Sequence, residues 1–240
     1  MSTKEEMLDR VRKALGRSQT GAAIFPLSTF DTTGVMPPLA PQDYQSKFEA
    51  EWQKVSGIAY RVVDMDQLEA VVQKIMTLAI NHSVVLSRNP LLAELKIAER
   101  LEAAGKSVTS WADESTVSGT QSLADFNQSS FAAGVGITGV EFVLAETGSL
   151  VLSSATEGAQ ITSLAPPIHI ALYRRSQLVG SLDEVLAKVS ISGSKNEPSP
   201  NRSVVFVTGT SRTADIEQIL IHGVHGPRAT HAILVEDCCH

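Results

Sequence analysis

The chain has 240 residues, 43% of them apolar and 19% charged, enough to build one sizeable core or a core with a small appendage. Its formal charge of −6 is dispersed without any block of like charges, so it carries no electrostatic footprint for DNA, RNA or an anionic membrane. Residues 1–17 mix both charge signs without the apolar run of a secretory signal, and no window reaches the roughly 18 apolar residues of a membrane span. A cytoplasmic protein is expected.

Ser2 with Glu5 forms a capping box and predicts a helix over residues 3–15. Residues 16–42 are rich in Gly, Thr and Pro (Pro26, Pro37, Pro38, Pro41) and read as an extended arm. The expected organisation is therefore an N-terminal helix and arm over 1–42, then an α/β domain over 43–240. A helix is expected near 43–55. Asp66 with Glu69 starts another over 67–80, and Asn89 before Pro90 starts one over 90–104, because proline fits the first helical position and asparagine caps it. Ser181 with Glu184 starts a helix over 182–190. Short apolar, β-branched runs at 83–86, 107–110, 141–144, 150–153, 168–172, 203–207 and 232–235 suit buried strands. Strands alternating with helices predict an α/β fold, Rossmann-like, with a largely parallel sheet flanked by helices. Residues 192–201 form a polar loop, and no internal repeat is present.

Four stretches could carry chemistry. The first runs from Gly134 through Gly139 into a strand that delivers Glu146 to a glycine-containing turn, Glu146-Thr147-Gly148. A carboxylate exposed at a sheet end is a catalytic candidate; it could equally accept N–H bonds from its own turn. The glycines lack the G-x-G-x-x-G pattern followed by a helix that a dinucleotide loop needs. The second, Thr208 to Thr213 followed by Ala214 to Leu220, reads as strand, small polar loop and helix, which aims backbone N–H groups at an anion. Thr210, Ser211, Arg212 and Thr213 are the substrate-binding candidates, with Arg212 gripping a carboxylate or phosphate. Asp215 and Glu217 either join that site or stabilise the helix dipole. The third, His222 to His231, places His225 and Arg228 on one loop around Gly226-Pro227, a proton-transfer group beside an anion clamp. The fourth, Ser154 to Gln160 through Pro167, either lines the pocket beside Glu146 or only connects two strands, and His169 beyond it suits a core position. The only cysteines, Cys238 and Cys239, are too few for an iron–sulfur cluster, and no metal site is expected with them.

Taken together, Gly136-Ile137-Thr138-Gly139, Ala145 to Leu152, Pro166-Pro167-Ile168-His169, Thr210 to Glu217 and Gly223 to Pro227 resemble the lactate-utilisation (LUD, LutC/YkgG-like) domain family. The match runs in order over about residues 45–236. The resemblance implies a fold like that of the NagB, ribose-phosphate isomerase and CoA-transferase group. It also implies work with two partner proteins, one bearing iron–sulfur clusters, in oxidising L-lactate to pyruvate. Such a chain would bind no cofactor itself. Related CoA-transferases use a glutamate before a glycine turn as nucleophile, and Ala145-Glu146-Thr147-Gly148 is faintly similar, although the surrounding residues differ. The leading expectation gathers Glu146, Arg212, Asp215, Glu217, His225 and Arg228 around one pocket at the carboxyl edge of the sheet, holding a small carboxylate. Alternatives are a self-sufficient enzyme on a CoA-linked or phosphorylated substrate, or a non-catalytic scaffold or regulator.

Overall fold

A computed structural model describes residues 4–14, 39–111, 123–191, 203–214, 220–222 and 226–236. The chain divides into two compact units, Met1–Pro37 and Pro38–His240. In the first, helix α1 (Lys4–Ala14) carries Glu5 and Glu6 in its first turn, where the helix dipole favours negative charge.

The second unit opens with α2 (Tyr44–Lys54), β1 (Ile58–Val62), α3 (Met65–Met76) and β2 (Ser83–Leu86). It continues with α4 (Pro90–Glu94), α5 (Ile97–Ala103), β3 (Ser107–Ser110), α6 (Leu123–Ala132) and β4 (Val135–Thr138). Next come β5 (Phe142–Leu144), β6 (Ser149–Ser153), α7 (Ser154–Glu157), α8 (Ile161–Leu164) and β7 (Ile168–Tyr173). The last elements are β8 (Leu178–Val179), α9 (Leu182–Ile191), β9 (Val204–Val207), β10 (Arg212–Ala214), β11 (Leu220–His222) and β12 (Ala229–Val235).

Six strands form the central sheet in the order β1-β12-β7-β4-β2-β3, every pair parallel, as the alternation of strands and helices predicts. Along β7 and β12 the side chains alternate between two cores. Ile168, Ile170, Leu172, Ile233 and Val235 pack on α3, α4 and α5. Ala171, Tyr173, Ala232 and Leu234 face Phe48 and Trp52 of α2 together with Val143, Leu150 and Leu152. The two alanines leave room for the aromatic pair, whose rings stack with centroids 5.7 Å apart.

Three expectations are corrected. Runs 141–144, 150–153 and 203–207 leave the parallel sheet and build a second one, β8-β5-β6-β9, because the four residues Ala145 to Gly148 between β5 and β6 can close only an antiparallel pair. The helix expected over 90–104 is two helices, broken at Lys96, whose φ is 51°. No helix starts at Thr213: β10 pairs antiparallel with β11, setting the β-branched Thr213 opposite Ile221. Residues 215–219 lie outside the described part. Helix α3 is capped by Asp64, which accepts from the Gln67 N–H at 2.7 Å, two residues before the expected start.

Candidate functional site

From β2 the chain moves outward to β3, and from β4 it moves the other way to β7, so the gap between β2 and β4 is a topological switch point. Ligands of open α/β sheets gather beyond the carboxyl ends of strands at such a point. Ser87 and Asn89 follow β2, Gly139 follows β4, and Glu157 reaches them from α7. The Glu157 side chain is buried, 1% exposed. Its Oε2 accepts from Ser87 Oγ at 2.6 Å and from the Gly139 N–H at 3.0 Å. Its Oε1 accepts from Asn89 Nδ2 and, at 3.2 Å, from Thr156 Oγ1. These four donors are neutral, and burial pushes the Glu157 carboxyl above the usual carboxylate range while the hydrogen bonds oppose that shift.

Asn89 serves two elements at once. Its Oδ1 accepts from the Leu91 N–H at 3.0 Å and caps α4, as the Asn-Pro signal predicts, while its Nδ2 holds Glu157. This works because Gly139 has no side chain: a Cβ there would lie 2.1 Å from Asn89 Cγ. Arg88 stands exposed at the rim, with Nη2 donating to the Ala155 carbonyl at 3.0 Å. Sequence reasoning assigned the stretch around Glu157 to the neighbourhood of Glu146 and missed its true partners. The signal was a lone carboxylate among small residues directly after an apolar strand.

The arginine-bearing segments lie at the other end of the sheet. Arg228 directly precedes β12 and its N–H donates at 2.8 Å to the carbonyl of Pro167, which directly precedes β7, so both mark the amino edge. A loop feeding a parallel strand can lie nowhere else, which overturns the expected placing at the carboxyl edge. The Ser211 N–H donates to the Pro227 carbonyl at 3.0 Å, joining two of the singled-out segments. Thr210 is buried, its N–H donating to the Val55 carbonyl at 3.4 Å, whereas Arg228 is exposed. The turn carrying Glu146 is tied to the same loop through its hydroxyls: Thr147 Oγ1 meets Ser149 Oγ at 2.7 Å, and Ser149 Oγ meets Thr208 Oγ1 at 2.7 Å. The Glu146 carboxylate itself turns to α9 and accepts from the Leu182 N–H at 3.1 Å. Arg212 and Thr213 sit opposite His222 and Ile221 in the hairpin, and their side chains lie outside the described part. Asp215, Glu217, His225, Cys238 and Cys239 also lie outside it.

His169 is fully buried and half satisfied: Nε2 meets Thr138 Oγ1 at 2.8 Å, while Nδ1 has no partner among the described residues. Burial, reinforced by the nearby His231, lowers its pKa to about 3, so the ring is neutral at neutral pH. His231 lies on the opposite face, its ring 5.9 Å from that of Tyr60, and burial lowers its pKa to about 4. Among the described residues no cluster of three His, Cys, Asp or Glu could hold a metal, and no helix is long and apolar enough to cross a membrane.

Comparison with known proteins accords with this architecture. The chain is 29% identical to the uncharacterized protein YkgG of Escherichia coli, across 99% of this chain and 100% of that protein. It is 37% identical to lactate utilization protein C of Halalkalibacterium halodurans over 44% of this chain and 45% of that protein. It is also 37% identical to lactate utilization protein C of Bacillus subtilis, over 44% and 43%. These two alignments span less than half of either relative. A crystal structure of a duf162 family protein from Deinococcus radiodurans shares the fold, with a TM-score of 0.54 at 23% identity over 82% of this chain and 99% of that one. The LUD domain model matches residues 45–235, and the chain belongs to the LUD domain family.

Proposed function

We propose that this protein works in lactate utilisation, as a component of a system that oxidises L-lactate to pyruvate. The observation that carries the reading is the pair of relatives named lactate utilization protein C at 37% identity, aligned within a family match over residues 45–235. Two partner proteins complete the system, one of them bearing the iron–sulfur clusters that take the electrons leaving lactate. Two cysteines in 240 residues are too few to hold such a cluster by the usual four thiolates, which supports placing the carrier on a partner.

Within this chain the exposed Arg228 and Arg212 of the adjoining hairpin supply positive charge at the amino edge of the sheet for a small carboxylate, with Thr210 and Ser211 beside them. His225 on the same loop serves as the proton-transfer group. The Glu146 carboxylate, engaged at the start of α9, holds the neighbouring turn in place, which supports a positioning role over a nucleophilic one. The test is genetic and direct. Deleting the gene in a host without a paralogue abolishes growth on L-lactate as sole carbon source while growth on pyruvate persists. Reintroducing the wild-type gene restores it, Arg228→Ala restores it poorly, and unaltered growth of the deletion strain on L-lactate overturns the reading.

A further inference from the structure

The amino edge of the central sheet holds more hydrogen-bonding capacity than the described protein uses. His169 Nδ1 and the hydroxyls of Thr230, Thr162 and Thr210 are buried without a partner among the described residues. Unpartnered buried polar groups are uncommon, because each loses its water without recovering a bond.

Three of these groups share one neighbourhood. His169 is the register partner of Gly136 in β4 and of Thr230 in β12, and the alternation of the strands puts all three on the same face. Gly136 has no side chain, and the Thr162 carbonyl occupies the vacated space, since a Cβ at Gly136 would lie 1.9 Å from that oxygen. Thr162 therefore sits beside His169 because β4 carries a glycine there. The segments already singled out at this edge close in on the same region. A Cβ at Gly226 would lie 3.2 Å from Ser211 Cβ and 4.0 Å from the Leu164 carbonyl, so α8, the Thr210–Ser211 loop and the Gly226–Arg228 loop meet.

We propose that this layer of His169, Thr230 and Thr162, with Thr210 on the adjoining loop, is a binding site for a small carboxylic acid bearing an oxygen on the neighbouring carbon, a 2-hydroxy or 2-oxo acid. The chemistry selects that class. Threonine hydroxyls donate to a carboxylate, and each also accepts from a hydroxyl. With Thr138 Oγ1 fixing Nε2, His169 Nδ1 faces the 2-oxygen, donating to a keto group or exchanging a hydrogen bond with a hydroxyl. Full enclosure of these atoms limits the ligand to a few heavy atoms, and Arg228 at the surface draws an anion to this edge. The site stands on the geometry alone; naming lactate and pyruvate as its acids rests on the lactate-utilisation reading.

Thermal denaturation of the full chain tests both parts, because a ligand that binds only the native state raises the melting temperature. L-lactate, pyruvate, glycolate, 2-oxobutyrate and acetate are compared at equal ionic strength. L-lactate or pyruvate raises the melting temperature by a few degrees, acetate does not, and the His169 Nδ1 resonance moves in the nitrogen NMR spectrum. Thr230→Val, which keeps the shape and removes one unpartnered hydroxyl, melts no lower than wild type without ligand and loses the ligand-induced shift. A response to glycolate or 2-oxobutyrate with none to lactate or pyruvate supports the site and removes the lactate assignment. The site itself is overturned by any of three results: no response to any 2-substituted acid, a full response retained in Thr230→Val, or a soaked crystal with only water on His169 Nδ1.

Discussion

Glu157 shows how one side chain joins three elements. Its Oε2 takes Ser87 and the Gly139 N–H, and its Oε1 takes Asn89 and Thr156, so β2, β4 and α7 meet on one carboxylate. Glu157→Gln keeps the shape but exchanges one acceptor oxygen for an amide. Thr156 and Ser87 can rotate their hydroxyls to suit; Asn89 cannot turn its amide over without removing the Oδ1 cap from α4, and the Gly139 N–H can only donate. One unmatched pair therefore remains on either orientation of the glutamine. The expected loss is about 1–3 kcal/mol, read as a fall of about 2–4 °C in melting temperature for each kcal/mol in a unit of this size. A variant that melts with wild type would show that the four donors do not act together. Sequence alone offers Asn89 as a helix cap, and that role stands; its second bond links residues 68 positions apart, a separation no local pattern reports.

At the scale of elements, signals contained in a few consecutive residues were legible, and those decided by distant pairing were not. Ser181 and Glu184 do cap α9, with the Glu184 N–H donating to Ser181 Oγ at 3.3 Å and Glu184 Oε2 accepting from the Gly180 N–H at 3.0 Å. The apolar runs of β5, β6 and β9 read as strands, but nothing in them states which sheet receives them; the short turn after β5 does. The segment after Ser211 has an acidic stretch that suits a helix start, yet its ends pair as β10 and β11, because cross-strand bonding between β-branched residues overrides a weak propensity. Gly134 to Gly139, which looks like a loop by its glycines, is largely the central strand β4, and its glycines admit neighbours. Gly136→Ala tests this. A methyl group 1.9 Å from the Thr162 carbonyl forces α8 away from the sheet. The expected cost is about 1–3 kcal/mol or more in urea unfolding, with an unchanged slope, and an alanine variant of wild-type stability would mean that α8 yields freely.

For the whole molecule, the two buried histidines set how stability responds to acid. Both titrate near 6.5 in an unfolded chain, but in the folded protein their pKa values fall to about 3 for His169 and about 4 for His231, so the unfolded state binds more protons below 6.5. Stability from these groups is present above pH 6.5 and is lost as the pH falls towards 4, each histidine approaching roughly 1.4 kcal/mol per pH unit in that window. Glu49 and Glu184, whose pKa values are lowered, add their own loss only below the ordinary carboxylate range, whereas Glu157, raised by burial, contributes in the opposite direction. Between pH 6.5 and 4.5 the histidines therefore dominate. His231 offers the cleaner test, because neither of its nitrogens has a partner among the described residues and its ring already lies against Tyr60. In His231→Phe the ring contact is kept while two unpartnered polar atoms and one titration disappear. Its melting temperature at pH 7.5 is expected to match or exceed wild type, and its decline between pH 6.5 and 4.5 to be about half as steep, as expected when one of two similar titrations is removed. A variant that declines as steeply as wild type would show that His231 takes up its proton without leaving the fold, and that the acid response arises elsewhere.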